Sequence, residues 1–262
     1  MSASRIKAIL LQELFITKGS LEVIMDIFFF SIMTIVLFGF FSLSLITTLT
    51  STAVHYLLLG MLLFEIVRMT QYSIFVGSLW NIWSRNLTNM FITPLTLREY
   101  LFAQMLSGVV KSLVVFTVIS LLAGIFFKFN ILHLGFGNLI LFFINLTIFS
   151  WAAGLIILAF IFRYGTRIQA LAWGLIFLFQ PLTAAIFPVS ILPSPLLQIA
   201  YLLPPTFVFE AARAALVDSS VNWNFTAVAF GENILYFVFS IWFFNFMFTK
   251  AKDKGQFARN EE

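Results

Sequence analysis

The sequence predicts an all-α integral membrane protein with six transmembrane helices, an N-terminal interfacial helix, a short cytoplasmic helix and a re-entrant helical hairpin before the last span. Three observations carry this. Hydrophobic residues make up 61% of the 262 residues and charged residues only 10%, with a mean hydropathy of +1.02, more apolar than a water-facing domain sustains. Apolar runs of about 20 residues, the length that crosses a hydrocarbon layer, recur along the chain. Lys and Arg gather in alternate connections between those runs.

The elements follow in order. Residues 1–20 place Ile6, Ile9, Leu10 and Leu14 on one helical stripe, with Arg5, Gln12 and Glu13 largely off it, as in a helix lying in a membrane interface. The spans are expected at 24–45, 54–76, 101–127, 139–162, 170–187 and 225–248. The first apolar run follows a stretch of mixed polarity and outlasts a signal-peptide core, so it is expected to stay in the mature protein. One set of connections collects Arg5, Lys7, Lys18, Arg85, Arg98, Arg163, Arg167, Lys250, Lys252, Lys254 and Arg259; the other has Lys128 and Arg213. The positive-inside rule then puts both termini, including the 250–262 tail, in the cytoplasm of a plasma membrane.

Two connections carry more than the spans do. In 79–95, Leu79, Ile82, Trp83, Leu87 and Met90 recur at helical spacing, opposite Asn81, Ser84, Arg85, Thr88 and Asn89. The run stops at Thr93-Pro94, and Thr96-Leu97-Arg98-Glu99 has the form of a capping box that opens the third span. In 188–218, Pro188, Pro193, Pro195, Pro204 and Pro205 cut an apolar stretch into pieces too short to cross a bilayer. Ser194-Pro195 and Thr206 are expected to start helices of roughly 13 and 18 Å, which dip in and return. Broken backbone at that depth is tolerated where protein covers it or a wet cavity receives it, which places the hairpin beside a path or gate.

Read together, NIWSRNLTNMFITPLTLREYL (81–101) and FPVSILPSPLLQIAYLLPPTFVFEAARAAL (187–216), with an interface helix and six spans, resemble the permease subunit of ABC-2 type exporters along essentially the whole chain. The resemblance implies a single transmembrane domain over 1–262 and a pathway built by two permease copies, identical or not. It also implies two separate ATP-binding subunits docked on the cytoplasmic helix, which becomes a coupling helix. Trp83, Arg85, Asn86, Leu87, Met90 and Pro94 are the coupling residues it suggests. Pro188, Pro193, Pro204, Pro205, Glu210 and Arg213 are the residues of its re-entrant gate. The implied cargo is amphiphilic: a lipid-linked polysaccharide, a lipid or a hydrophobic drug.

The chain carries no ATPase of its own, since it has no G-x-x-x-x-G-K-[ST] run and Gly135-Phe136-Gly137 lacks the continuation of a nucleotide fingerprint. ATP and Mg would sit on the partner subunits, and this chain is expected to bind no cofactor and to be no enzyme. Without cysteine it has no disulfide, thiolate metal site or Cys nucleophile. The net charge of +4 and pI near 9.5 reflect membrane topology, with membrane lipids as partners and no nucleic acid. His55 and His133 lack ligand spacing and read as interface residues. Tyr56, Trp80, Tyr100, Tyr201 and Trp223 read as an aromatic belt.

Charged residues inside spans include Glu65, Arg68, Lys111 and Glu232. Glu65 and Arg68, three apart, can pair on one helical face; a polar patch on the substrate path or dimer seam and a structural ion pair both fit. Lys111 and Glu232 invite the same two readings, with snorkelling open to Lys111. An ion-coupled carrier using Glu65, Lys111 and Glu232 as a relay is the alternative function. An intramembrane enzyme is less favoured, with no HExxH motif and no Gly-x-Ser-x-Gly elbow.

Overall fold

The computed structural model describes residues 1–45, 51–84 and 86–253. Its helices are α1 (Ala3–Gly19), α2 (Leu21–Ile24), α3 (Phe30–Leu45), α4 (Ser51–Trp83), α5 (Leu87–Ile92), α6 (Leu97–Phe127), α7 (Phe136–Tyr164), α8 (Gln169–Leu182), α9 (Ser194–Ala200), α10 (Pro204–Val217) and α11 (Trp223–Asp253). A π-helical turn, Met25–Phe29, joins α2 to α3. Five helical runs are long and apolar enough to cross a membrane: Leu21–Ser44, His55–Trp83, Leu97–Phe127, Phe136–Tyr164 and Trp223–Asp253. Helices suit that setting because they satisfy their own backbone groups where lipid cannot.

The least apolar of these runs is the central one. In α4, 94% of the apolar stretch is buried although its mean hydropathy, 1.3, is the lowest of the five; the corresponding figures for α6 and α11 are 22% buried. Glu65, Thr70, Gln71, Ser73, Ser78 and Asn81 are thereby withdrawn from lipid into the protein. The outer helices turn Leu37, Phe40, Leu121, Ile125, Leu235 and Val238 outward, as lipid-facing positions allow.

Cross-helix contacts set the directions. Helix α3 runs antiparallel to α4, with Ser31 at Arg68 and Asp26 at Tyr72. So does α6, with Tyr100 at Ser78 and Gly108 at Thr70. Helix α7 runs parallel to α4, with Gly154 against Ile74, and α11 parallel to α7, with Asn233 at Asn145 and Phe244 on Phe162. Both described ends of the chain therefore lie at one end of the bundle, where Met1, Arg5, Thr96 to Glu99 and Asn245 line one depression. The opposite end is closed by Ser219 Oγ donating to the His133 carbonyl (2.9 Å) and Asn138 Nδ2 to that of Ser219 (3.0 Å).

Local sequence explains several boundaries. Thr96 caps α6 as expected: its Oγ1 accepts from the Glu99 amide (3.3 Å), and Glu99 Oε2 accepts from the Thr96 amide (3.0 Å). Tyr100, expected in an aromatic belt, is fully buried and donates to Ser78 Oγ (3.1 Å). The expected start at Ser194-Pro195 shifts by one residue, with Pro193 as N-cap. Thr206 does not cap a helix. Helix α10 begins at Pro204, and the Thr206 hydroxyl donates to the Ala200 carbonyl (2.6 Å), stitching α9 to α10.

Two larger differences concern α1 and the fifth expected span. Helix α1 lies along α6, with Ser2 and Arg5 at Glu99 and Glu13 at Gln104 and Lys111. The side facing the bundle carries Ile9 and Glu13, with Ile6 and Leu10 packed beside Ile9, whereas Leu14 is exposed, so the expected stripe packs through three of its four residues and Glu13 takes the inward place of the fourth. The reason is electrostatic: Glu13 finds a cation and an amide on α6. Residues 170–187 contain the 14-residue α8, about 21 Å long, rather than a full span. Pro181 sits in its last turn, and the chain then turns at Ala184, whose φ is +52°.

That turn is seated on α4. A Cβ at Gly60 would lie 1.7 Å from the Ala185 carbonyl oxygen, so only glycine admits this backbone approach. Gly60→Ala is expected to destabilise the chain by about 1–3 kcal/mol, because the obstacle is backbone rather than a pliable side chain. Thermal unfolding in detergent checks this; an unchanged midpoint contradicts it.

Candidate functional site

Helices α3, α4 and α8 line a partly open cavity of about 430 Å³. Met61, Phe64, Glu65, Arg68, Tyr72 and Phe75 line it from α4 at i, i+3, i+4, i+7 spacing, which puts them on one helical face. Phe30, Thr34 and Phe38 face them from α3, and Trp173, Ile176, Phe177 and Gln180 from α8. The charged groups lie between Phe64 and Tyr72 along α4. There the Glu65 carboxylate accepts from Arg68 Nε (3.0 Å to each oxygen) and Nη2 (2.7 Å), and Arg68 Nη2 also reaches Ser31 Oγ (2.6 Å).

The Glu65–Arg68 pair thus forms as the spacing allows, and it also ties α4 to α3. Glu65 is 3% exposed at its side chain and Arg68 13%, so removing either partner leaves a largely desolvated charge. Glu65→Gln and Arg68→Gln are each expected to destabilise by about 3 kcal/mol, and the double change by less than either. Unfolding in detergent reads this directly; additive losses contradict the pairing.

Asp26, Tyr72, Trp173 and Gln180 were not singled out from the sequence. The signal available was an acidic residue in the first span and the continuation of the α4 stripe through Tyr72. Asp26 sits in the π-helical turn and accepts from the Tyr72 hydroxyl (3.0 Å). Rings of Tyr72, Phe75 and Trp173 meet edge to face, with centroids 5.2 to 6.0 Å apart. Gln180 Nε2 lies 3.2 Å from Met61 Sδ.

The other intramembrane charges lie elsewhere. Lys111 pairs with Glu13 on α1 (2.9 Å) rather than reaching for the interface. Glu232, on α11, has a buried Oε2 without a hydrogen-bond partner. Among the described residues no hydrogen bond or ion pair joins Glu65, Lys111 and Glu232 to one another. Among the described residues, likewise, no group of three or more His, Asp or Glu side chains stands ready to hold a metal ion.

The short helix α5 hangs at the terminus-bearing end. Arg85 lies outside the described residues, and Leu87 opens α5. The Asn86 amide donates to the Asn81 carbonyl (2.9 Å) and its side chain to Asn81 Oδ1 (3.3 Å), which fixes α5 to the end of α4. Met90, expected among the coupling residues, is buried against Ile9, Tyr100 and Ala103, so it anchors α5 to α1 and α6. The Arg5 guanidinium bonds the Pro94 carbonyl. What faces outward is Trp83 (44% exposed), Asn89, Ile92 (78%) and Pro94.

At the opposite end, Arg213 holds the turn after α8. Its Nη1 pairs with Glu210 Oε1 (2.6 Å), and its Nη2 donates to the carbonyls of Ala184 and Ala185. Glu210 Oε1 also accepts from the Val189 amide (2.8 Å). Pro188 precedes the 3₁₀ turn Val189–Ile191, while Pro204 and Pro205 fill the first turn of α10, where absent amides cost nothing. The corner between α9 and α10 sits against the side of α11: the Leu202 carbonyl accepts from Tyr236 (2.9 Å), about 20 Å along α11 from its start.

Compared with protein-family models and with curated proteins, the chain matches none.

Proposed function

We propose that this chain is the permease subunit of an ATP-driven ABC-2 type exporter, moving an amphiphilic molecule outward across the plasma membrane. Two permease copies form the pathway, and two separate ATP-binding subunits dock beneath the end that holds both termini, which faces the cytoplasm. Helix α8 together with the turn that follows it makes the remaining one of six passes, and residues 188–218 re-enter the membrane from outside. The contact of Leu202 with the side of α11 supports that re-entry.

The observation that carries the reading is the mounting of α5. It is a short helix outside the bundle, with Trp83, Asn89, Ile92 and Pro94 turned outward. Asn81, Met90 and Arg5 fasten it to α4, α6 and α1. A load applied to α5 is therefore borne by α4, the central helix, and by α6 together. Closure of docked ATP-binding subunits would shift α4 and α6 against α3 and α8, opening and closing the cavity between them.

Affinity purification of the tagged chain from native membranes in mild detergent tests this. A nucleotide-hydrolysing subunit is expected to co-purify in equal amount. Ile92→Asp is expected to lower its recovery at least tenfold while leaving insertion unchanged. Recovery of the chain alone, with efflux that survives ATP depletion and follows a proton gradient, contradicts the proposal and favours the ion-coupled carrier.

A further inference from the structure

We infer that the α3, α4 and α8 cavity binds a lipophilic organic cation, with its charged centre at Asp26 and its apolar body against Phe64, Phe75 and Trp173. That the cation is exported cargo rests on the function proposed above; that the cavity takes a cation does not.

The inference begins with charge. Asp26 receives one hydrogen bond, from Tyr72 to Oδ2, and among the described residues no Lys, Arg or His stands within ion-pair distance of it. Arg68 is the only cation lining the cavity among the described residues, and Glu65 engages it through three hydrogen bonds. Two carboxylates against one guanidinium leave the lining with one negative charge in excess. The largely apolar lining strengthens that field, since low-polarity surroundings screen charge less than water does.

Shape and surface point the same way. Along α4 the cavity runs from Phe75 to Met61, about 21 Å, with its charged groups, Asp26 at Tyr72 and the Glu65–Arg68 pair, between the ring cluster at Phe75 and the stretch at Phe64 and Met61. Tyr72, Phe75 and Trp173 form a T-shaped cluster whose ring faces carry the electron density that attracts a cation. A delocalised or quaternary cation sheds its water more readily than a primary ammonium, which suits a site walled by aromatic rings. Asp26 itself lies in a π-helical turn, the distortion by which helices commonly present a functional side chain. A lipid chain could fill the apolar part but would leave this carboxylate without a counter-charge.

The test uses the purified full chain in nanodiscs and two ions of one shape and opposite sign, tetraphenylphosphonium and tetraphenylborate. Tryptophan fluorescence is expected to be quenched saturably by the phosphonium and not by the borate. Asp26→Asn is expected to raise the phosphonium Kd at least tenfold, and Trp173→Phe to remove most of the quench. Equal binding of both ions to the unaltered chain, which needs no variant to fold, overturns the inference, as does an unchanged Kd in a folded Asp26→Asn protein. Both results would mark the cavity as a neutral apolar gap filled by lipid. Phosphonium that binds but is not moved with ATP would sink the export reading and leave this site standing. ATP-driven movement of another cargo without phosphonium binding would do the reverse.

Discussion

Lys111→Met is expected to destabilise the protein by about 3–5 kcal/mol, because it strands the Glu13 carboxylate between α1 and α6 without a counter-charge. Glu13 is 3% exposed, and its other hydrogen bond comes from Gln104 Nε2 (3.0 Å), an amide that cannot neutralise it. Glu13→Gln should be nearly as harmful, since it leaves the Lys111 ammonium, on a side chain only 13% exposed, without a counter-charge. The double variant, Glu13→Gln with Lys111→Met, should recover most of the loss, because no uncompensated charge remains. Equilibrium unfolding in detergent micelles of all four proteins measures the coupling. Additive single losses would mean that the two side chains act separately.

The second large effect is expected at Arg213. Its guanidinium satisfies the carbonyls of Ala184 and Ala185, exposed where α8 ends early, and pairs with Glu210, which in turn holds the Val189 amide. Arg213→Met removes these partners together and leaves Glu210 facing apolar surroundings. A loss of about 3–5 kcal/mol is expected, enough to abolish folded protein at growth temperature. Arg213→Lys should rescue little, since a single ammonium cannot reproduce the planar fork that meets two carbonyls and a carboxylate at once. Yield and thermal midpoint after purification check both variants. A near-normal midpoint in Arg213→Lys would mean that charge alone suffices there.

Much of the helical layout was legible because lipid imposes strict lengths. Apolar runs of span length became α4, α6, α7 and α11 with shifted ends, and the Thr96 capping box formed as its spacing requires. The pairing of Glu65 with Arg68 followed from a separation of three residues on one helix. Contacts between elements far apart in sequence were not legible. Glu13 and Lys111 are 98 residues apart, and nothing local marks Glu13 as facing inward. The shortening of α8 depends on Arg213, 29 residues beyond the Ala184 carbonyl it bonds, so hydropathy alone carried the fifth span too far. Asp26 went unremarked because a single carboxylate in an apolar run announces no partner; the cavity became visible only once Tyr72 and Trp173 were brought beside it. Met90 shows the same limit, since periodicity placed it on an amphipathic face but not on which side that face would pack.

The central claim is that the end bearing α5 faces the cytoplasm and receives an ATP-binding subunit, and single-cysteine labelling addresses it directly because the natural chain contains no cysteine. Asn89→Cys reports on α5 and Ser220→Cys on the opposite end, and both residues are exposed. In intact cells a membrane-impermeant maleimide should label Ser220→Cys and not Asn89→Cys. In inside-out vesicles Asn89→Cys should be labelled only after the ATP-binding subunit has been stripped away, and protected again when it is restored. Labelling of Asn89→Cys from outside intact cells, or equal labelling with and without the stripped subunit, would contradict the claim.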